Sequence, residues 1–148
     1  MKRLATTMVI AFPTPDAAEQ AFYQAFAQLD PGAMRRVWST AQPVTCIHPG
    51  GPLLQGLQAV LQSWSEIFAG SQPPRLAWER LSAVEAGDLA VHVTAEHIQS
   101  GDPDAGRGAR VISTNVFRRE AAGWLLIQHH ASLPVMRQSR AQRSRSLH

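Results

Sequence analysis

The sequence predicts an α+β domain in which helices come first and an antiparallel meander follows. Two observations carry this reading. Before about residue 70, apolar residues recur at three- and four-residue spacing behind helix-start signals. Between Leu76 and Ser132 four strand-like runs are separated by two short turns and one longer loop. Helices segregated from an antiparallel sheet define the α+β class. At 148 residues, 45% apolar and 17% charged, the chain has room for one folded domain and is not fully disordered.

The first helix opens at Thr14-Pro15-Asp16: a capping hydroxyl, proline in the first turn, then an acid near the positive helix end. Ala18, Phe22, Ala25, Phe26 and Leu29 line one face. Asp30-Pro31 repeats the start signal for a short second helix bearing Met34, Val37 and Trp38. Val44 to His48 reads as a strand that Pro49-Gly50-Gly51-Pro52 ends. A third helix from about Leu57 to Phe68 carries Val60, Leu61, Trp64, Ile67 and Phe68, and Gly70 with Pro73-Pro74 stops it. The strands follow near Leu76–Val84, Leu89–Ile98, Ala109–Arg119 and Trp124–Ser132.

The turns predict registers. With Ala86 and Gly87 central, Val84 faces Leu89 and Trp78 faces Ala95. Leu76, Trp78, Val84, Leu89, Val91, Val93 and His97 then share one face, expected to be the inner one. Glu79, His92, Thr94 and Glu96 share the other, more polar face. With Ala121 and Ala122 central, Ser113, Asn115, Phe117, Trp124, Leu126, Gln128 and His130 share a face. Their opposite side, with Ile112, Val116, Leu125 and Ile127, is also apolar, which predicts a second subunit as its cover.

The net charge is +3, but six of the 14 basic residues (Lys2, Arg3, Arg137, Arg140, Arg143, Arg145) lie in tails without an acid. The segment between them holds eight basic against eleven acidic residues and is net negative. A nucleic-acid binder needs its cations on the folded face, so no nucleic-acid partner is expected. No apolar run is long enough to span a membrane, and no membrane partner is expected. Leu4 to Phe12 only faintly imitates a signal peptide, and Cys46 is the sole cysteine, within an apolar run. A cytoplasmic protein with an inert buried thiol is the expectation. The expected divisions are an N-terminal segment 1–13, a domain 14–134 and a basic tail 135–148.

Two stretches carry a resemblance. One is Cys46-Ile47-His48-Pro49-Gly50-Gly51, then Leu54-Gln55-Gly56 and Ser63-Trp64-Ile67-Phe68. The other is Thr114-Asn115-Val116-Phe117-Arg118-Arg119, then Gly123-Trp124 and His129-His130-Ala131-Ser132. Their order and spacing resemble the SnoaL-like members of the nuclear-transport-factor-2-like superfamily. The resemblance implies a conical half-barrel closed by three helices, a deep pocket for a small molecule, and a homodimer through the sheet. It spans isomerases, cyclases, dehydratases and non-catalytic modules, so it selects no reaction.

The enzymes among such relatives rely on a pocket carboxylate, which the expected inner face lacks. That leaves histidine. His48 ends a strand before a Pro-Gly-Gly bend, and His97 and His130 lie on the expected inner face, with Ser132 on the same side as His130. Each can serve as a general base near neutrality or as a structural histidine bonded to Ser113, Asn115 or Ser132. Tyr23 reads as a partly buried aromatic, and the resemblance to the isomerases implies an oxyanion donor. Arg80 falls among apolar residues, either as an anion anchor or because the register differs from the expected one. Ser113, Asn115 and Phe117, with Trp38 and Trp64, complete the expected ligand wall. The histidines lack metal-ligand spacing, so neither a metal nor another cofactor is expected.

Overall fold

The computed structural model describes residues 11–104 and 106–135. The three helices are α1 (Pro15–Gln28), α2 (Pro31–Val37) and α3 (Leu57–Ala69). The strands are β1 (Thr45–Ile47), β2 (Leu54–Gln55), β3 (Arg75–Ala86), β4 (Leu89–Gln99), β5 (Ala109–Glu120) and β6 (Gly123–Ser132). They form one open sheet in the order β2-β1-β6-β5-β4-β3. The expected all-antiparallel sheet is corrected at one place. β1 runs parallel to β6, because the chain passes from α2 back to the sheet beside β6, where Trp38 already bridges Leu126.

The helix starts form as their side chains predict. Thr14 accepts from the amide of Ala17 at 3.0 Å and Asp30 from that of Ala33 at 3.0 Å, each ahead of a proline at the first helical position. The helices lie over one face of the sheet. Phe22, Met34, Trp38, Val60, Trp64, Phe117 and Leu126 form the core between the layers. Phe12, ahead of the first helix, joins this core and pairs with Gly123.

Both hairpins depart from a uniform register, and the departures decide which side chains face inward. In β3–β4 the turn residues are Gly87 and Asp88, since Ala86 pairs with Leu89. Gly87 takes the positive φ (59°) that this turn requires. Near the turn the partners shift by two, which leaves the faces unchanged. A bulge at Leu81 then inserts one residue, and Trp78 faces Glu96 instead of Ala95. The inner side therefore holds Leu76, Trp78 and Arg80 of β3 with Ala90, His92, Thr94 and Glu96 of β4. Val84, Leu89, Val91 and His97 face outward, so the expected inner face of β4 is reversed.

In β5–β6 the expected pairs Arg119–Trp124 and Phe117–Leu126 are present. Beyond them a bulge at Ile127 shifts the ladder, so Asn115 pairs with His129 and Thr114 with His130. One inserted residue exchanges the two neighbouring histidines between the faces. His129 is buried, while His130 and Ser132 are exposed.

Candidate functional site

Two titratable residues that hydrophobic patterning alone would place at the surface lie fully inside. Glu19 is 0% and Glu96 1% exposed. Glu19 sits on the apolar stripe of α1, one turn before Tyr23, so both point at the sheet. Arg80 reaches it from β3: Nε donates to Glu19 Oε1 at 2.8 Å, and Nη2 lies 2.8 Å from the same oxygen. Arg80 also pairs with Asp16, at 3.3 Å, and stacks over Trp78. His92 Nδ1 lies 3.0 Å from Glu19 Oε1 but outside hydrogen-bond geometry, so Arg80 is the partner that compensates this oxygen. A buried carboxylate needs compensation of this kind, since burial strongly disfavours an unpaired charge.

Glu19 also orients the next residue. Asn115 Nδ2 donates to Glu19 Oε2 at 3.0 Å and to the Tyr23 oxygen at 3.1 Å, which uses both amide hydrogens. Its Oδ1 therefore accepts, and His129 Nδ1, 2.6 Å away, carries the proton. Burial pushes the His129 pKa down to about 3, with His48 and His130 adding to the effect. His129 is thus a neutral imidazole with a fixed tautomer.

The Tyr23 hydroxyl joins this network to Glu96. It donates to Glu96 Oε2 at 2.6 Å and lies 2.6 Å from Thr94 Oγ1, from which it accepts. Burial and the nearby Glu96 raise the Tyr23 pKa well above its ordinary range. Burial likewise raises that of Glu96, with Glu19 adding to it, against the lowering by Tyr23 and Ser113. The Tyr23–Glu96 pair is therefore built to hold a proton in a water-poor setting. Ser113 is fully buried and its hydroxyl has no partner of good hydrogen-bond geometry.

The structure brings together only some of the expected site residues. Tyr23, Arg80, Ser113 and Asn115 belong to the network, while Phe117, Trp38 and Trp64 are core around it. His48 is half-buried against Trp64, and its Nε2 donates to Ser63 Oγ at 2.9 Å because Ser63 itself donates to Val60 O. Burial lowers its pKa. His97 lies on the outer face because β4 turns the side of Leu89 and Val91 outward, and His130 and Ser132 lie there because of the bulge at Ile127. The missing inner carboxylate is corrected as well: Glu19, His92, Thr94, Glu96 and His129 were not expected there. Their signal was the polar alternation His92, Thr94, Glu96, and an acid four residues before a tyrosine on an apolar stripe. Burial pushes the Cys46 thiol up to about 12, so it is inert.

The network is closed at the described geometry, but a cleft of about 580 Å³ opens beside it. Phe26, Leu29, Ile67, Pro74, Ile98 and Ala109 line this cleft, together with the β4–β5 loop. From it, three elements step inward on the same face: Phe26 to Tyr23 on α1, Ile98 to Glu96 on β4, and Ala109 through Val111 to Ser113 on β5.

Three helices over one face of an open six-stranded mixed sheet are the architecture of the NTF2-like, cystatin-like fold. The SnoaL-like domain model matches residues 16–136, and the chain belongs to that family. A candidate calcium/calmodulin-dependent protein kinase type II association domain from Thiobacillus denitrificans is similar, at 35% identity and a TM-score of 0.76. That match covers 84% of this chain and 98% of the other. A candidate dehydratase of the NTF2-like family from Streptomyces avermitilis is 32% identical, with a TM-score of 0.74 over 83% of this chain and 100% of the other. The F-box protein SKIP8 of Arabidopsis thaliana is 31% identical over 104 residues, 70% of this chain. The match takes in 42% of that protein, so the chain spans less than half of this relative's length.

Proposed function

We propose that the domain, residues 14–134, binds a small, largely apolar molecule through the cleft between α1, α3 and the β4–β5 loop. The Tyr23–Glu96 pair reads one polar group on it. The observation that carries this reading is the Glu96 carboxyl, 1% exposed, which accepts from Tyr23 at 2.6 Å and whose pKa burial raises. A proton held on such a pair is available to a ligand carbonyl or hydroxyl that displaces one of its partners. Turnover on this site is acid–base chemistry of the isomerase, cyclase or dehydratase type. Its proton carrier is Glu96 with Tyr23, in place of the histidines at 48, 97 and 130. Arg80, Glu19 and Asn115 act as positioning residues for Tyr23. The similarity to the candidate dehydratase supports the class. The lone buried Cys46 fits a cytoplasmic setting.

Native mass spectrometry of the purified protein tests the reading. A retained small molecule that is lost in Glu96→Gln and Tyr23→Phe supports it. Retention unchanged in both variants, or binding of no small molecule from an apolar carbonyl library by the wild type, overturns it.

One observation favours a second role, as a homodimerising module. Val84, Leu89 and Val91 expose 61%, 45% and 39% of their surfaces on the outer face of the sheet, an apolar patch that a second copy would cover. The similarity to the candidate association domain points the same way. Sedimentation of the wild type as a monomer at micromolar concentration would remove this role.

A further inference from the structure

On the outer face, at the end of the sheet away from Val84 and Val91, a groove of about 530 Å³ runs across β3, β4 and the start of β5. The registers explain what lines it. Ala77, His97 and Arg110 are consecutive cross-strand partners, and Arg75 pairs with Gln99 one step further along the same face. Cross-strand partners project together, so two guanidinium groups, one imidazole and one amide converge on one depression. Arg75, His97, Gln99 and Arg110 are all exposed.

No carboxylate lines the groove. Glu79, next along β3 on this face, borders it, while Glu96 points to the interior. The described ion pairs use Arg80 and Arg119, and among the described residues neither Arg75 nor Arg110 has an acidic partner. Gly108 and Ala109 supply the floor opposite Gln99 and Ile98 with almost no side chain, which keeps the depression open beside the cations.

We propose that this groove is a binding site for a small organic anion, a carboxylate or phosphate head on a short apolar body. Paired guanidinium groups match the planar or tetrahedral oxygens of such heads through charge-assisted hydrogen bonds. Ala77 and the aliphatic stems of Arg75 and Arg110 provide apolar surface for the body on this face, which a free inorganic ion would not use. The site is separate from the Tyr23–Glu96 network and does not depend on it.

Amide-resolved NMR titration of the full chain at constant ionic strength tests this, with hexanoate, hexyl phosphate and inorganic phosphate as probes. The expected result is saturable shifts confined to Arg75–Ala77, His97–Gln99 and Gly108–Arg110, with one of the hexyl probes binding more tightly than inorganic phosphate. The double variant Arg75→Gln/Arg110→Gln should weaken binding by about tenfold or more. Arg35→Gln, on α2, should leave it unchanged. The exchanges are on the surface, and an unchanged melting temperature verifies the fold. Shifts spread over all arginines, equal binding by the double variant, or no saturable shift with either hexyl probe would overturn the site. The carboxylate and phosphate arms tell which head group it takes.

Discussion

β4 presents two opposite chemistries on its two faces. Inward it carries His92, Thr94 and Glu96, which are 3%, 0% and 1% exposed. Outward it carries Leu89 and Val91, which are 45% and 39% exposed. An ordinary half-buried strand shows the reverse. Burying an acid and a histidine while leaving valine and leucine in solvent is costly unless each face has a use. The inner face offsets the cost by hydrogen bonding, through Glu19, Asn115 and Tyr23. The outer face would offset it by association. The comparison therefore rests on two propositions, that the inner network is held by its polar bonds and that the outer patch is not needed for the monomer.

The largest effect should come from Glu19, on which Arg80, His92 and Asn115 converge. Glu19→Ala leaves the Asn115 amide without one acceptor and the Arg80 guanidinium with Asp16 alone, at a cost of about 3 kcal/mol. Urea unfolding should show the loss as a lower midpoint, and Glu19→Gln should lose less because one acceptor remains. An unchanged midpoint in Glu19→Ala would mean that apolar packing alone holds the inner face.

The next test is the pH dependence that His129 imposes. Its folded pKa is about 3 against an ordinary 6.5, so the unfolded chain takes the proton first. Its contribution to stability is complete above 6.5 and is lost as pH falls from there toward 3, by up to about 1.4 kcal/mol per pH unit. Glu96 acts in the opposite sense. Its raised pKa favours the fold below the ordinary carboxyl value of 4.5, and that advantage fades as pH rises through its folded value. His129→Gln should therefore flatten the acid side of the stability profile, measured by urea unfolding at a series of pH values. An identical slope in the variant would show that another group titrates there.

A smaller loss is expected from Tyr23→Phe, which keeps the aromatic stack on Trp78 but removes the hydroxyl shared by Glu96, Thr94 and Asn115. The three partners each lose one bond inside the protein, for about 1–3 kcal/mol in thermal or urea unfolding. A neutral result would place water, not Tyr23, at the centre of the network.

These residues also mark how far the sequence could be read. Element order, helix starts and the β5–β6 turn follow from local signals: Thr14-Pro15, Asp30-Pro31, and the register of Arg119 with Trp124. The family likeness came from the residues around His48 and Asn115, and the family match supports it. The inner side of β4 is not legible in the sequence, because binary patterning assigns the apolar face to the core and the apolar face of β4 lies outside. Here that rule fails where polar groups are gathered inside. The bulges at Leu81 and Ile127 left no turn residue to announce them, yet each moves a side chain across the sheet. Swapping His130 for His129 is the clearest case: adjacent residues of the same type, separated in role by one unpaired neighbour.

The smallest effect on the fold belongs to the outer face, and it sharpens the contrast most. Val84 and Val91 are direct cross-strand partners, so their side chains stand together on the surface. β4 lies between β3 and β5, and its backbone bonds do not depend on what those side chains are. Val84→Lys/Val91→Lys therefore removes little buried area from the monomer. Its unfolding free energy, extrapolated to infinite dilution, should stay within about 0.5 kcal/mol per substitution. Two lysines brought face to face would repel a second apolar copy, so sedimentation should show a wild-type dimer and a monomeric variant. A variant that remains dimeric would move the interface elsewhere. A variant that unfolds would show that the outer patch, like the inner network, is part of what holds the monomer together.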